Sequence, residues 1–298
     1  MNNSTLLNIV ADIRDKLDHI GNNQHNLLDK LEKNLEYYLA VEATRLKMNL
    51  LSSGRYDDKK NLIPFGFKVF SENEEDGMIE EIFNRIGTSN KKFIEFGVEA
   101  GLENNTLYLL HKGWTGLWIE GKKSEYEKIL ENVDYFINKD RLTVVNKFLT
   151  KDNINETFSE NSITGEIDLL VIDVDGNDFH LLEAVTSVSP RVVVIEYNAR
   201  FPANFSWIME YDPNHLWSAS SYYGASLKAY ENLMKGKSYS LVGCNLAGNN
   251  AFFVRDDEIG EHFQGPFVSE VHYEPNRYHL SLGCAHDRNF RSKIGPHE

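Results

Sequence analysis

Four short apolar segments in the middle of the chain each carry an acid at or near their C-terminal end. The segments cover residues 93–97, 116–120, 169–173 and 192–196. Continuous apolar runs of this length are typical of strands that are buried on both faces of a parallel sheet. Because the carboxyl ends of parallel strands meet at one edge of the sheet, the four acids are predicted to line a single ligand crevice.

These segments belong to a longer alternation of strand and helix patterns that begins at residue 92. Strands are predicted near 92–97, 115–120, 141–146, 167–173 and 191–197, and helices near 104–112, 122–132, 152–160 and 178–187. After a further helix near 221–235, strand patterns at 238–243 and 250–255 flank a turn rich in Gly and Asn, which predicts a hairpin. The predicted fold class is α/β, with a Rossmann-like, seven-stranded, mostly parallel sheet that ends in a C-terminal antiparallel hairpin.

Residues 5–50 carry a different pattern, in which the seam positions follow alternating steps of four and three. These positions are Leu6, Val10, Ile13, Leu17, Ile20, Gln24, Leu27, Leu31, Asn34, Tyr38, Val41, Arg45 and Met48. Most of them are apolar, as in the heptad seam of a coiled coil, and the pattern favours a helical segment that self-associates. The alternatives are packing on the rest of the chain, docking of a partner, or a helical hairpin broken at Gly21-Asn22-Asn23.

The composition argues against a nucleic acid partner, a membrane span and a secretory signal. The chain has 298 residues and a formal net charge of −14, and it lacks the basic face that binding to nucleic acid requires. No apolar run approaches the ~20 residues of a membrane span, and the N-terminus lacks the basic and apolar regions of a secretory signal. Cys244 and Cys284 are the only cysteines and lack metal-ligand spacing, so we expect reduced thiols in a cytoplasmic protein.

The loop after the first apolar segment indicates the kind of ligand. Its motif is Glu95-x-Gly97-x-x-x-Gly101, whereas a dinucleotide-binding loop usually reads Gly-x-Gly-x-x-Gly so that the backbone can approach a pyrophosphate. A carboxylate at Glu95 would repel a pyrophosphate and would suit an ammonium group. Glu120, at the end of the second segment, is placed to accept hydrogen bonds from both hydroxyls of a ribose. A ligand with a ribose, a cationic amino acid part and no phosphate is S-adenosylmethionine (SAM).

These motifs, with the acid that ends the third segment and the predicted hairpin, resemble those of class I SAM-dependent methyltransferases. The stretches at 172–178 and 194–198 are similar to the FkbM-type branch, many of whose members methylate hydroxyls of sugars or natural products. The branch motif usually carries Glu where this chain has Asp175. The resemblance covers about residues 75–256.

The chain is accordingly divided into three parts. Residues 1–50 form an N-terminal helical coiled-coil segment, residues 51–74 a linker, and residues 75–298 a SAM-dependent methyltransferase domain with an aromatic insertion at 199–223.

The resemblance also implies which residues bind the donor. They are Glu95, Gly97, Gly101, Glu120, Asn146, Phe148 and Asp173. In this assignment the glycine backbone lies under the methionine part of SAM, with Glu95 near its amino group. Glu120 holds the ribose, and Phe148 offers a stacking face to the adenine.

The acceptor side is predicted from residues that follow the fourth and fifth strands. A general base assists transfer to a hydroxyl acceptor, and the candidates are Asp175, Asp178 and His180. The connection over 199–223 is long and rich in aromatic and polar groups, which suit a sugar ring or another flat, partly polar acceptor. The candidates for substrate contact are Asn198, Trp207, Tyr222 and Tyr223.

Oxygen ligands on neighbouring strand ends also suit a divalent metal ion. The candidate ligands are Asp173, Asp175, Glu196 and Asn198, and the arrangement resembles that of the catechol-type methyltransferases. Mg²⁺ or Mn²⁺ at this point would lower the pKa of an acceptor hydroxyl and position its oxygen. The alternative is that these side chains hydrogen-bond within the crevice, with Asp173 near the methyl region of SAM and no metal.

The predicted function is O-methylation of a sugar or glycan-precursor hydroxyl, as in polysaccharide biosynthesis, by a homo-oligomer that forms through the N-terminal helices. The competing enzyme is a metal-assisted methyltransferase that acts on another small molecule. An NAD-binding oxidoreductase belongs to a different class, which the missing middle glycine and Glu95 oppose. A non-catalytic scaffold that keeps a vestigial SAM fold is the remaining alternative.

Overall fold

The computed structural model describes residues 27–28, 30–218 and 220–281. Helix α1 covers residues 30–51. The other helices are α2 (Glu75–Ile86), α3 (Leu107–His111), α4 (Lys123–Asn132), α5 (Asp134–Asn138), α6 (Ile154–Glu160), α7 (Asp178–Ala184), α8 (Leu227–Gly236) and α9 (Ser269–His272). The strands are β1 (Lys92–Phe96), β2 (Thr115–Glu120), β3 (Leu142–Asn146), β4 (Gly165–Ile172), β5 (Val188–Glu196), β6 (Tyr239–Cys244) and β7 (Asn250–Arg255). Short 3₁₀ helices lie at Ile63–Phe65 and Tyr278–Ser281.

The strands form one seven-stranded sheet in the order β3-β2-β1-β4-β5-β7-β6. The strands from β1 to β5 pair in parallel, whereas β7 pairs antiparallel with both β5 and β6. This sheet confirms the predicted Rossmann-like class, including the C-terminal hairpin. The carboxyl ends of β1, β2, β4 and β5 therefore lie along one edge.

The sheet is buried on both faces, which explains its continuous apolar runs. Along β4, Leu169 and Val171 point into one core, while Leu170 and Ile172 point into the other. All four side chains are fully buried. Successive side chains of a strand point to opposite faces, so a strand with a core on each side needs apolar residues at every position.

Three predicted helix boundaries differ from the observed ones by three residues or more, and one of them is the start of α3, at Leu107 rather than near 104. Helix α8 begins at Leu227 rather than near 221, because the Ser226 side chain accepts a hydrogen bond from the Ala229 N–H and caps the helix there. Helix α7 ends at Ala184 rather than 187, because Val185 adopts an extended backbone. The later start of α8 lengthens the connection that follows β5.

Helix α1 docks on the body of the protein through its C-terminal half. Ala43 is buried, Leu50 and Leu51 pack against the core, and Lys47 Nζ lies 2.7 Å from a carboxylate oxygen of Glu74. The helical prediction is confirmed for the described residues, whereas seam positions before residue 27 and the Gly21–Asn23 break lie outside them. Within the described ranges, no helix is both long and apolar enough to cross a bilayer.

The loop after β1 meets the end of β4 at Gly97. Gly97 has φ of 82°, and a Cβ atom added there would overlap the Asp173 carbonyl oxygen. The space beside Gly97 is filled by the backbone of Asp173, and the expected position of the Gly97 backbone under the methionine part of SAM stays a prediction. Hydrogen bonds from Gly97 N to Ile119 O and from Asp173 N to Phe96 O, both 3.2 Å, hold the three strand ends together.

Gly97→Ala is predicted to lower the free energy of unfolding by about 3 kcal/mol or more, because both the backbone conformation and the space forbid a side chain. Gly113→Ala is the matched control, since Gly113 has φ of 89° with open space around it; it should cost only about 1–2 kcal/mol. Denaturant unfolding of both variants measures the difference. If the two variants lost the same free energy of unfolding, the contact between Gly97 and Asp173 would contribute nothing to stability.

Candidate functional site

Glu95 fixes the loop that follows β1. Its side chain is buried, and its two carboxylate oxygens accept hydrogen bonds from Asn105 N, at 2.8 Å, and from the Thr106 hydroxyl. Trp118 Nε1 in turn donates to the Thr106 hydroxyl at 2.7 Å. Burial raises the pKa of Glu95 to about 7. These contacts give Glu95 a structural role at the start of α3, and its contact with an ammonium group stays a prediction.

Gly101 lies at the far end of the same loop, with φ of 72°. A Cβ atom there would lie 2.9 Å from the Trp118 ring and 3.3 Å from Ile129. As at Gly97, the missing side chain lets the loop pack on the protein itself.

Glu120 closes the loop at the end of β2. Its carboxylate accepts hydrogen bonds from Glu99 N at 3.0 Å and Lys122 N at 2.7 Å, and burial raises its pKa. Asn146 Nδ2 donates to the Glu120 carbonyl oxygen at 2.7 Å, which ties the ends of β2 and β3 together. The predicted ribose-binding carboxylate is thus held firmly at the crevice edge.

Phe148 lies beside Glu120 at this edge and is not a core residue. Its side chain is 44% exposed. The ring packs over Gly121, where an added Cβ atom would lie 3.0 Å from Phe148 Cδ2. An aromatic face is therefore presented at the point where the sequence predicts an adenine.

Three carboxylates converge beyond the ends of β4 and β5. One oxygen from each of Asp173, Asp175 and Glu196 lies within 4.8 Å of the others. Burial and the charges of Glu196 and Asp175 raise the pKa of Asp173 well above its usual range. Burial raises the pKa of Asp175 to about 6, with repulsion from Asp178 and Glu99 adding to the effect. Glu196 Oε2 is buried and has no hydrogen-bond partner among the described residues.

The turn that carries Asp175 is strained. Asp175 has φ of 53°, a left-handed conformation that non-glycine residues adopt at a cost of about 1–3 kcal/mol. The turn is held by the buried Asp178, whose two carboxylate oxygens accept from Val174 N and Gly176 N, both at 2.8 Å. The prediction of Asp178 as a general base needs correction, because its side chain is fully buried and holds the turn from inside the protein.

Two further predicted residues hold the long connection between β5 and α8. His180 Nε2 hydrogen-bonds the Met209 carbonyl oxygen at 2.7 Å. Asn198 is fully buried and donates to the Ser221 and Tyr223 carbonyl oxygens at 3.0 and 3.1 Å. His180 is therefore an anchor rather than a free base. Asn198 does not reach the crevice as a substrate contact or a metal ligand, because its amide is used to close the connection.

The aromatic residues of the connection stack on one another. Phe201 lies between Phe205, at a ring-centroid distance of 5.5 Å, and Trp207, at 4.7 Å. Tyr222 meets Trp207 edge-on at 5.7 Å. Trp207 is thus inside the stack, whereas Phe205 and Tyr222 are about half exposed. These two rings of the stack, and Trp217 farther along the connection, are exposed and can contact an acceptor.

Two residues that the motifs did not indicate also border the carboxylates. Tyr278, from the C-terminal segment, has its hydroxyl 3.1 Å from the Tyr223 hydroxyl. Burial and the charge of Glu196 raise the pKa of both tyrosines. Burial and the charges of Glu103 and Asp175 raise the pKa of Glu72, which precedes α2.

His215 is a third residue that the motifs did not indicate. Asn177 Nδ2 donates to Asp212 O at 2.7 Å, and Asp212 N donates to Asn177 Oδ1 at 3.3 Å. His215 N donates to Asp212 O at 3.0 Å. The imidazole then lies against Gly176, where an added Cβ atom would overlap its ring. Since Gly176 has an ordinary φ, the ring rather than the backbone requires a glycine there.

The three carboxylates supply part of a binding site for a hard divalent cation. Three carboxylates on adjacent strand ends, one with an unpartnered buried oxygen, offer the oxygen ligands that Mg²⁺ and Mn²⁺ prefer. Asn198 does not join the set, because its side chain is fully buried and its Oδ1, the atom that could bind a metal ion, accepts from Arg200 N at 3.3 Å. The same negative crevice would also attract a sulfonium or an ammonium group.

Comparison with known proteins gives distant likenesses only. The chain matches no protein-family model, and no curated protein is significantly similar to it. A provisionally assigned caffeoyl-CoA O-methyltransferase from Staphylococcus aureus has TM-score 0.42 and 13% identity over 60% of this chain and 81% of that chain. A provisionally assigned O-methyltransferase from Klebsiella pneumoniae has TM-score 0.41 and 14% identity over 74% of this chain and 99% of that chain.

A third similar structure is PKMT2 from Rickettsia typhi in complex with AdoHcy, with TM-score 0.30 and 13% identity over 40% of this chain. The match spans only 24% of the Rickettsia protein. At this level of similarity none of the three identifies the activity of this chain.

The packing of His215 on Gly176 predicts strong coupling between the two positions. Gly176→Ala should destabilise the protein by about 1–3 kcal/mol, because the new methyl group overlaps the ring. In a His215→Ala background the same substitution should be nearly neutral, and denaturant unfolding of the four proteins gives the coupling free energy. Additive effects would contradict this placement of His215.

Proposed function

We propose that the protein is a SAM-dependent methyltransferase that methylates a hydroxyl group, with a sugar or glycan precursor as the acceptor. The observation that carries the proposal is the arrangement at the ends of β1, β2 and β3. There the Glu95-x-Gly97 loop, the Glu120 carboxylate and the exposed face of Phe148 border one crevice. This set suits an adenosine group without phosphates.

The donor end of the crevice can be assigned residue by residue. Glu120 would accept the ribose hydroxyls, and Phe148 would stack on the adenine. The carboxylates of Asp173 and Asp175 lie farther along the same edge, where the positively charged sulfonium and amino groups would follow. Methyl transfer is a displacement at carbon, in which the C–S bond breaks as the C–O bond forms, so alignment of donor and acceptor supplies much of the catalysis.

The acceptor would enter between the carboxylates and the long connection. With a pKa of about 6, Asp175 is mostly ionised at neutral pH and is suited to take the proton of an attacking hydroxyl. The exposed rings of Phe205 and Tyr222 offer apolar faces to a sugar ring. An acceptor with a phosphate next to its reacting hydroxyl is disfavoured, because Glu72, Asp173 and Glu196 would repel it.

Binding of the reaction product S-adenosylhomocysteine (SAH) tests the donor site. Glu120→Gln and Phe148→Ala should each weaken SAH binding by about tenfold or more, through loss of a charge-assisted hydrogen bond and of base stacking. The matched control for the first is Glu127→Gln on α4, because the Glu127 side chain is mostly exposed. Isothermal titration calorimetry on the intact chain gives the dissociation constants.

Three outcomes of that titration carry different meanings. Unchanged SAH affinity in Glu120→Gln would refute the assignment of the ribose site. Binding of NAD without binding of SAH would replace the proposal with the oxidoreductase alternative. Thermal unfolding of each variant checks that a loss of affinity is not a loss of fold.

A metal-assisted methyltransferase is the second candidate, and the carboxylates of Asp173, Asp175 and Glu196 favour it. These residues would hold the ion, which supplies Lewis-acid chemistry that lowers the pKa of a bound hydroxyl. The unpartnered Glu196 Oε2 is the specific observation behind this candidate. The acceptor in this case need not be a sugar.

Thermal unfolding with added Mn²⁺ tests the metal candidate. The folded-state pKa values of the three carboxyl groups are raised, so folding favours their protonated forms and their ionisation destabilises the fold as pH rises. A bound cation offsets this repulsion, so the Mn²⁺-induced rise in Tm should grow from about pH 5 to about pH 8. Glu196→Gln should abolish the rise, and Glu160→Gln on α6 should preserve it. No Mn²⁺ effect at any pH would remove this candidate.

A further inference from the structure

Helix α1 has two faces with different surroundings. In the heptad repeat the seam residues occupy positions a and d, with Leu27 at d and Leu31 at a. Ala43 and Leu50, which pack on the body, fall at position f, and Lys47, which pairs with Glu74, falls at position c. Positions f and c lie opposite the a/d seam. The helix therefore docks on the body by the face that points away from the seam.

The seam itself is exposed along the described part of the helix. Leu31 is 56%, Tyr38 60% and Met48 66% exposed, and Leu27 and Val41 are exposed as well. Leu28 and Leu35, at the flanking position e, widen this apolar stripe and are exposed to a similar degree. A contiguous apolar stripe of this kind on a soluble protein marks an interaction surface.

The way in which α1 docks excludes one alternative from the sequence, namely that the seam packs on the described body of the same chain. The seam cannot pack on the body of the same chain, because that body already holds the opposite face of α1 through Ala43 and Leu50. Its occupant must come from residues of the chain outside the described ranges, from another protein, or from a second copy of the chain.

We propose that the seam is covered by the seam of a second copy of this chain, in a parallel coiled coil. The spacing of three and four continues in phase from Leu17 through Ile20, Gln24 and Leu27, across the Gly21-Asn22-Asn23 stretch. Within the described helix, the same spacing runs without a break from Leu31 to Met48, as a coiled coil requires.

The polar residues of the seam suit self-pairing. Gln24 and Asn34 carry amides, which can hydrogen-bond to their own symmetry mates in a parallel, in-register pair, and a buried amide of this kind specifies register. Arg45, the charged seam residue, has Glu42 three residues earlier, with the two side chains 3.8 Å apart. That ion pair offsets the repulsion between two copies of Arg45 in the seam.

Disulfide trapping on the intact chain tests the proposed pairing directly. Leu31→Cys places a thiol at position a, where the two copies of a parallel, in-register coil meet, so mild oxidation should give a covalent dimer. Lys33→Cys, at position c, is the matched control and should give none. The wild-type chain under the same oxidation measures any background from Cys244 and Cys284.

Sedimentation equilibrium supplies the second measurement and does not depend on the proposed enzymatic function. The wild type should sediment as a dimer at micromolar concentration, Leu31→Glu should halve the mass, and Lys33→Glu should leave it unchanged. SAH affinity per chain should stay the same in all three. A monomeric wild type would overturn the proposal. A dimer without disulfide formation at Leu31→Cys would overturn the parallel register.

Discussion

The close approach of two backbone segments at Gly97 and Asp173 is the constraint on which the crevice depends. Gly97 can lie there only because it has no side chain and adopts a left-handed conformation. The contact joins the ends of β1 and β4, while the Gly97 hydrogen bond to Ile119 adds the end of β2. Glu95, Glu120 and Asp173 thereby come to one edge, where Glu120 accepts from two backbone N–H groups and Glu95 accepts from Asn105 N and the Thr106 hydroxyl.

Negative charge accumulates at this edge, and no Lys or Arg side chain of the described ranges forms an ion pair with Asp173, Asp175 or Glu196. Burial and mutual repulsion raise the pKa values of Asp173, Asp175 and Glu196, so the fold is less stable at neutral pH than it would be with neutral side chains there. Asp175 adds backbone strain at the same point. Unfavourable features that coincide in a crevice are typical of functional sites, and a ligand that carries positive charge would relieve the repulsion.

The fold could be predicted from the sequence because its signals are local. The last four residues of β4, Leu169–Ile172, are all apolar, since both faces of the sheet are buried there, and the Gly- and Asn-rich turn predicts the β6–β7 hairpin. The polar residues were harder to assign. Asp178, His180 and Asn198 have the right chemistry for a site, yet their partners are backbone groups that only the folded connection supplies. His215 and Tyr278 reach the crevice from distant segments, and no spacing rule connects them to it.

The central claim is that the crevice holds adenosine between Glu120 and Phe148 and holds the sulfur near Asp173. A crystal structure of the intact chain with SAH tests it most directly. The account predicts that the adenine lies on the exposed face of Phe148, that the ribose hydroxyls donate to Glu120, and that the sulfur faces the three carboxylates. SAH bound at another edge of the sheet, or a crevice that stays empty at saturating SAH, would contradict it.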